Sequence, residues 1–253
     1  MNALKEFMMR LACRSPALPT NLDGFRVEIS AKSSRADIVL DRPPRNVMSI
    51  SQHEQIQAVI EALDSDPAIH VIVLRSSGEH FSSGIDNVES SHARAENASR
   101  LALALSAPSR CSKPVVAANR GYCSGSAFEL SLACDFRIAT ETTLYALPTL
   151  STGHILGFDS VTRLHGMIGT GRTRDVVMRS RIIDGVRAYD WGIATEFAVD
   201  NELENVTDAL VRELFTCSQI GSRSIKKLLN DIEDTSFGSY VNVSISNREA
   251  ISA

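Results

Sequence analysis

The chain has 253 residues, of which 43% are hydrophobic and 22% charged, and its formal net charge is −4. That length supports one large domain, or one domain with an appendage. The acidic balance argues against general nucleic-acid binding, and no apolar run reaches the length of a membrane span. Five cysteines (Cys13, Cys111, Cys123, Cys134 and Cys217) lie far apart with no C-x-x-C pair. This suits reduced thiols in a reducing, cytoplasmic compartment and leaves no zinc framework.

The first 22 residues mix amphipathic and basic character and are expected to form a loosely ordered extension, with a transit peptide as the alternative. Residues 23–200 read as an α/β core. Phe25, Val27 and Ile29 alternate with polar residues, a Lys-Ser-Ser-Arg turn follows, and Ala36–Leu40 returns as a second run, so a hairpin is predicted. DRPPRNVMS is a proline-rich loop. Ser51-x-x-Glu54 has the pattern of a capping box, and Ile56, Val59, Ile60 and Leu63 give the helix behind it one apolar face. Asp66-Pro67 ends that helix. Val71–Leu74 is a continuous apolar strand of the kind buried on both faces. FSSGIDN, residues 81–87, follows it directly, and by itself reads as a glycine-containing loop after a strand. Residues 88–110 are polar and alanine-rich, helical around Leu101–Leu105.

The stretch from Lys113 to Thr140 carries the strongest pattern. Val115–Ala118 is a short buried strand, Asn119 and Gly121 break it, and small residues Ser124–Ala127 lead into an apolar helix. A strand at Phe136–Ala139 closes the unit. Glu129 stands three residues after Ser126, on the same helix face. Two readings of it are open from spacing alone. It is a first-turn glutamate pointing into water, or a carboxylate beside exposed backbone N–H groups, equipped for proton transfer next to a carbonyl.

Gly121, Tyr122, Gly125, Glu129, Leu130, Ala133, Cys134 and Asp135 fall in register with the signature of the crotonase (enoyl-CoA hydratase/isomerase) family, which this stretch resembles; Ser126 and Ala127 stand where that family has glycines. FSSGID resembles its second signature loop, and Asn46 and Met48 match its proline-rich loop. Tyr145, Pro148, Gly153, Arg163 and Leu164 hold register downstream. The resemblance implies a ββα spiral core and an acyl-CoA substrate. The thioester oxygen would lie in an oxyanion hole formed by the N–H groups of Ile85 and Ser126, with Glu129 as acid/base. It places CoA-binding at Arg45, Asn46, Val47, Ser83, Ile85 and Asp86. It also implies a homotrimer or dimer of trimers, with no cofactor beyond the CoA that the substrate carries, no nucleic acid and no membrane.

One departure bears on the reaction. The family's hydratases carry a second catalytic glutamate where this chain has Thr149, and a threonine hydroxyl is no base near neutral pH. Ordinary hydration is therefore doubtful; isomerisation, decarboxylation or C–C cleavage are the alternatives, and a non-catalytic subunit of the same fold is another. Asp159 is the candidate replacement carboxylate, with an N-cap role as its other reading, and His154 is a structural histidine or a further replacement. His53, His70, His80, His92 and His165 show no ligand spacing, so no metal is implied. Residues 201–253 are expected to form a helical trimerisation region. In it Leu203, Val206, Leu210 and Leu214 mark one amphipathic helix, and Ile225, Leu228, Leu229 and Ile232 the next. The chain stops at SNREAISA, so a final family helix is expected to be absent.

Overall fold

The computed structural model describes residues 18–30, 34–85, 94–148 and 157–233. In chain order the elements are β1 (Phe25–Ser30), β2 (Arg35–Leu40), α1 (Ile50–Ser65), β3 (Val71–Ser76), α2 (Arg94–Leu105), α3 (Ala107–Arg110), β4 (Val115–Ala118) and β5 (Tyr122–Ser124). They continue with α4 (Ser126–Leu132), β6 (Phe136–Thr140), β7 (Leu144–Ala146), α5 (Phe158–Arg179), β8 (Ile183–Asp184), α6 (Gly185–Asp190), β9 (Glu196–Ala198), a 3-10 turn (Asp200–Glu202) and α7 (Leu203–Thr216). A further helix, α8, covers 219–233.

The larger sheet runs β1-β2-β3-β4-β6-β9. The β1–β2 pair is the predicted antiparallel hairpin, and every later pairing is parallel. Because side chains alternate along a strand, β3 and β4 feed two cores. Ile72, Leu74, Val115 and Ala117 face the main core with α1 and α4, whereas Val71, Val73, Val116 and Ala118 face a second cluster. That cluster is closed by Leu203, Leu210 and Val211 of α7, so the first tail helix buries its apolar face within its own chain. The second tail helix does not: Ile225, Leu228, Leu229 and Ile232 are each more than half exposed.

A second sheet, β5-β7-β8, stands beside the first. The sequence reading expects no strand between Val115–Ala118 and the helix at Glu129; in the structure Tyr122–Ser124 form one, pairing in parallel with β7. The chain thus visits both sheets in succession, from β4 through β5 and α4 to β6 and then β7, which is the spiral.

Two caps also differ from expectation. The capping box is Ser49 with Gln52, not Ser51 with Glu54: the Ser49 hydroxyl accepts from Gln52 N–H, and the Gln52 side chain accepts from Ser49 N–H at 2.7 Å. Asp159 is not an N-cap, because Gly157 holds that position and Asp159 lies in the first turn of α5. The C-terminal end of α1 falls at Asp66 as predicted. It is closed by Lys113, fully buried, whose Nζ donates to the carbonyls of Leu63 and Asp66.

Candidate active site

Glu129 lies in α4, and only 8% of its surface is exposed. Its Oε2 accepts from the Gly157 N–H at 3.0 Å and from the Ser160 hydroxyl at 2.8 Å, both brought by the start of α5. Burial, with a smaller push from the charge of Asp159, raises the carboxyl to about 7 against the opposing pull of those two hydrogen bonds. A carboxyl with that value is poised to exchange a proton near neutral pH. A cavity of about 10 Å³, room for one water, adjoins it and is lined also by Ser106, Gly157, Asp159, Ser160 and Arg163. The reading of Glu129 as a glutamate pointing into water therefore does not hold.

Two loops are in contact at the start of α4. A Cβ placed on Gly84 would lie 2.7 Å from the Ser124 carbonyl oxygen and 3.5 Å from the Ser126 nitrogen, at a φ of +98° that a side chain rarely adopts. Only glycine permits this approach. The Gly84 carbonyl accepts from Met48 N–H at 2.9 Å, so across the trans peptide the Ile85 N–H points the opposite way, away from Met48. By the same geometry the Gly125 carbonyl accepts from Glu129 N–H, and the Ser126 N–H points out of the helix. Both of these loops thus turn an N–H group outward.

The proline-rich loop is stitched to the 80–84 segment by Asn46, which holds φ +50° and is buried. Its amide donates to His80 O and Phe81 O and its Oδ1 accepts from Arg42 N–H. Ser82, fully buried, donates to Asn46 O at 2.6 Å and accepts from Gly84 N–H. Ser83 N–H donates to Arg45 O, and Arg42 reaches Val47 O. Arg45, Asn46, Val47, Ser83 and Ile85 are therefore neighbours, with the Asn46 side chain fully used by the scaffold. Ser82, Gly157 and Ser160 escaped the sequence reading; the last two act on Glu129 from 28 and 31 residues away, where no local pattern reports them.

Asp159 joins the site, lining the cavity of Glu129. Asp86, Thr149 and His154, like His92, lie outside the described residues. Tyr145 is fully buried and donates to Asn119 Oδ1, a structural role. Burial pushes the thiols of Cys111 and Cys134 up to about 12, which keeps them protonated and inert. Among the described residues no cluster of three or more His, Cys, Asp or Glu could hold a metal ion, and no helix is long and apolar enough to cross a membrane.

A two-sheet α/β spiral of this order is the architecture of the crotonases, and solved structures share the fold. DspI from Pseudomonas aeruginosa aligns over 93% of this chain and 98% of its own, with a TM-score of 0.81 at 23% identity. The chain belongs to the enoyl-CoA hydratase/isomerase family, whose model matches residues 30–244. The peroxisomal Delta(3,5)-Delta(2,4)-dienoyl-CoA isomerase of Arabidopsis thaliana is 27% identical, over 68% of this chain and 69% of its own. Carnitinyl-CoA dehydratase of Proteus mirabilis is 26% identical, over 80% and 79%.

Proposed function

We propose that the protein converts an acyl-CoA thioester through an enolate, with Glu129 moving the α-proton. The observation that carries this reading is the buried Glu129 carboxyl, held through one oxygen at a value of about 7, on the short helix whose first residue is Ser126. The thioester oxygen accepts from the N–H groups of Ile85 and Ser126. Glu129 takes the proton from the α-carbon, and the C–H electron pair moves into the α-carbon–carbonyl bond while the carbonyl pair moves onto oxygen. Fixed dipoles aimed at that oxygen stabilise the developing charge without reorganising. The proton then returns to the same or another carbon, which makes exchange and isomerisation the simplest outcomes. CoA lies along the loop of Arg45–Val47 and the Ser83–Asp86 segment.

The deciding experiment is α-proton exchange of butyryl-CoA in D2O, followed by mass spectrometry. Glu129→Gln should slow it by roughly 10²–10⁴-fold, the usual effect of removing a general acid–base group. Exchange at an undiminished rate in that variant would refute the assignment.

A second reading is favoured by Asp159, the described carboxylate that shares the Glu129 cavity. If it supplies the second carboxylate that Thr149 does not, the reaction is addition or removal of water at the β-carbon. Hydration of crotonyl-CoA that depends on both Glu129 and Asp159 would establish it. Gain of that activity only on Thr149→Glu would favour the single-carboxylate reading.

Assembly as a trimer or dimer of trimers is part of the same proposal. It is supported by the exposed apolar side chains of α8, together with Met178, Ile182 and Val186.

A further inference from the structure

Ser126 stands where the family signature has a glycine, so its hydroxyl is an addition to that signature at the start of the helix that carries Glu129. The residue is only 3% exposed, and its Oγ is buried with no hydrogen-bond partner among the described residues. A hydroxyl in that state is uncommon, because buried polar groups are nearly always satisfied. Its position narrows what could satisfy it. In two of the three staggered rotamers a serine Oγ lies about 3 Å from its own nitrogen. The Ser126 nitrogen is the one that a Cβ on Gly84 would approach to 3.5 Å, where the two loops meet. In either of those two rotamers, an oxygen accepting from the Ser126 N–H can come within reach of the Ser126 O–H as well. The hydroxyl also shares a helix face with Glu129, three residues on.

From these two observations, the orphaned buried hydroxyl and the loop contact beside its nitrogen, we infer that Ser126 is a third hydrogen-bond donor to the thioester oxygen, acting through its side chain in addition to its backbone. The inference rests on the enolate reading above and deepens it. A neutral donor strengthens its bond as the oxygen gains charge, so the hydroxyl favours the enolate over the bound thioester. Its effect falls on kcat more than on KM.

The test compares wild type with Ser126→Ala and Ser126→Gly, using butyryl-CoA labelled with 13C at the carbonyl. Both variants keep the backbone N–H and lose the hydroxyl. Each should lower kcat for α-proton exchange by about tenfold, short of the roughly 10²–10³-fold that loss of a principal oxyanion donor causes. KM should change less, and the carbonyl stretch of the bound thioester should move to higher frequency in both. If Ser126→Ala matches wild type in rate and band position, the inference is overturned, even where Ser126→Gly is impaired, because the serine then acts only by filling space. The enolate reading fails separately, through an unaffected Glu129→Gln; the infrared band still decides the role of Ser126 in a protein that binds the thioester without exchanging it. A wild-type protein that does not bind butyryl-CoA overturns both.

Discussion

The Ser160 hydroxyl donates to Glu129 Oε2 at 2.8 Å, across 31 residues of chain, and with the Gly157 N–H it fixes one carboxylate oxygen against the start of α5. The hydrogen bonds pull the carboxyl down while burial and the charge of Asp159 push it up, with burial the larger effect. The resulting value of about 7 is thus a balance that single substitutions can tip in either direction.

The wild-type pH profile follows from it. If the Glu129 carboxylate is the base, kcat/KM for α-proton exchange rises with pH and levels off above an inflection near pH 7. A flat profile between pH 5 and 9 would contradict this.

Stability should show the opposite trend. A carboxyl whose folded-state value lies above its ordinary 4.5 holds its proton more tightly when folded. Its contribution is fully present below pH 4.5 and is lost as pH rises through about 7. Glu129→Gln carries no charge to bury, so at pH 8 it should be more stable than wild type, by on the order of 3 kcal/mol. Urea unfolding at pH 8 and at pH 4.5 measures it, and the difference should shrink at the lower pH.

Two neighbours should shift the profile in opposite senses. Ser160→Ala removes a hydrogen bond that favours the charged carboxylate, so the inflection moves to higher pH and activity at pH 7 falls. Asp159→Asn removes a like charge, so the inflection moves to lower pH. Full kcat/KM profiles of both variants check this. Shifts of the same sign would show that the balance around Glu129 is wrongly described, and complete silence of Asp159→Asn would mark Asp159 as a second catalytic carboxylate.

Gly157 offers a steric test. Its backbone is one that alanine can adopt, with φ −58°, yet a Cβ there would lie 2.9 Å from Glu129 Oε2. Gly157→Ala should therefore displace the carboxylate and lower exchange by an order of magnitude or more, in keeping with the sensitivity of catalysis to small misplacements. Circular dichroism and the thermal midpoint should stay close to wild type. Undiminished turnover would mean that the contact with Gly157 does not position Glu129.

Leu228, more than half exposed on α8, tests the assembly. Light scattering of the wild type should report three or six chains, and Leu228→Asp should shift the population toward smaller species. A wild-type monomer at micromolar concentration would contradict the proposed interface.

Much of the scaffold was legible in the residues themselves. The β1–β2 hairpin shows as alternation, β3 and β4 as apolar runs with two buried faces, and the end of α1 as Asp66-Pro67, because backbone periodicity and proline chemistry act over a few residues. The spacing Gly125, Ser126, Glu129 likewise brought the reacting groups to notice. Other features took shape only on chain closure. A three-residue strand such as Tyr122–Ser124 is too short to show a period, and becomes a strand only by pairing with β7. Ser49 caps α1 in place of Ser51 because its own Gln52 returns the bond, a choice between two similar local patterns. Whether Glu129 faces water or chemistry could not be read from its helix at all. That depended on the arrival of Gly157 and Ser160 and on the loss of surrounding water, and desolvation is a property of the packed whole.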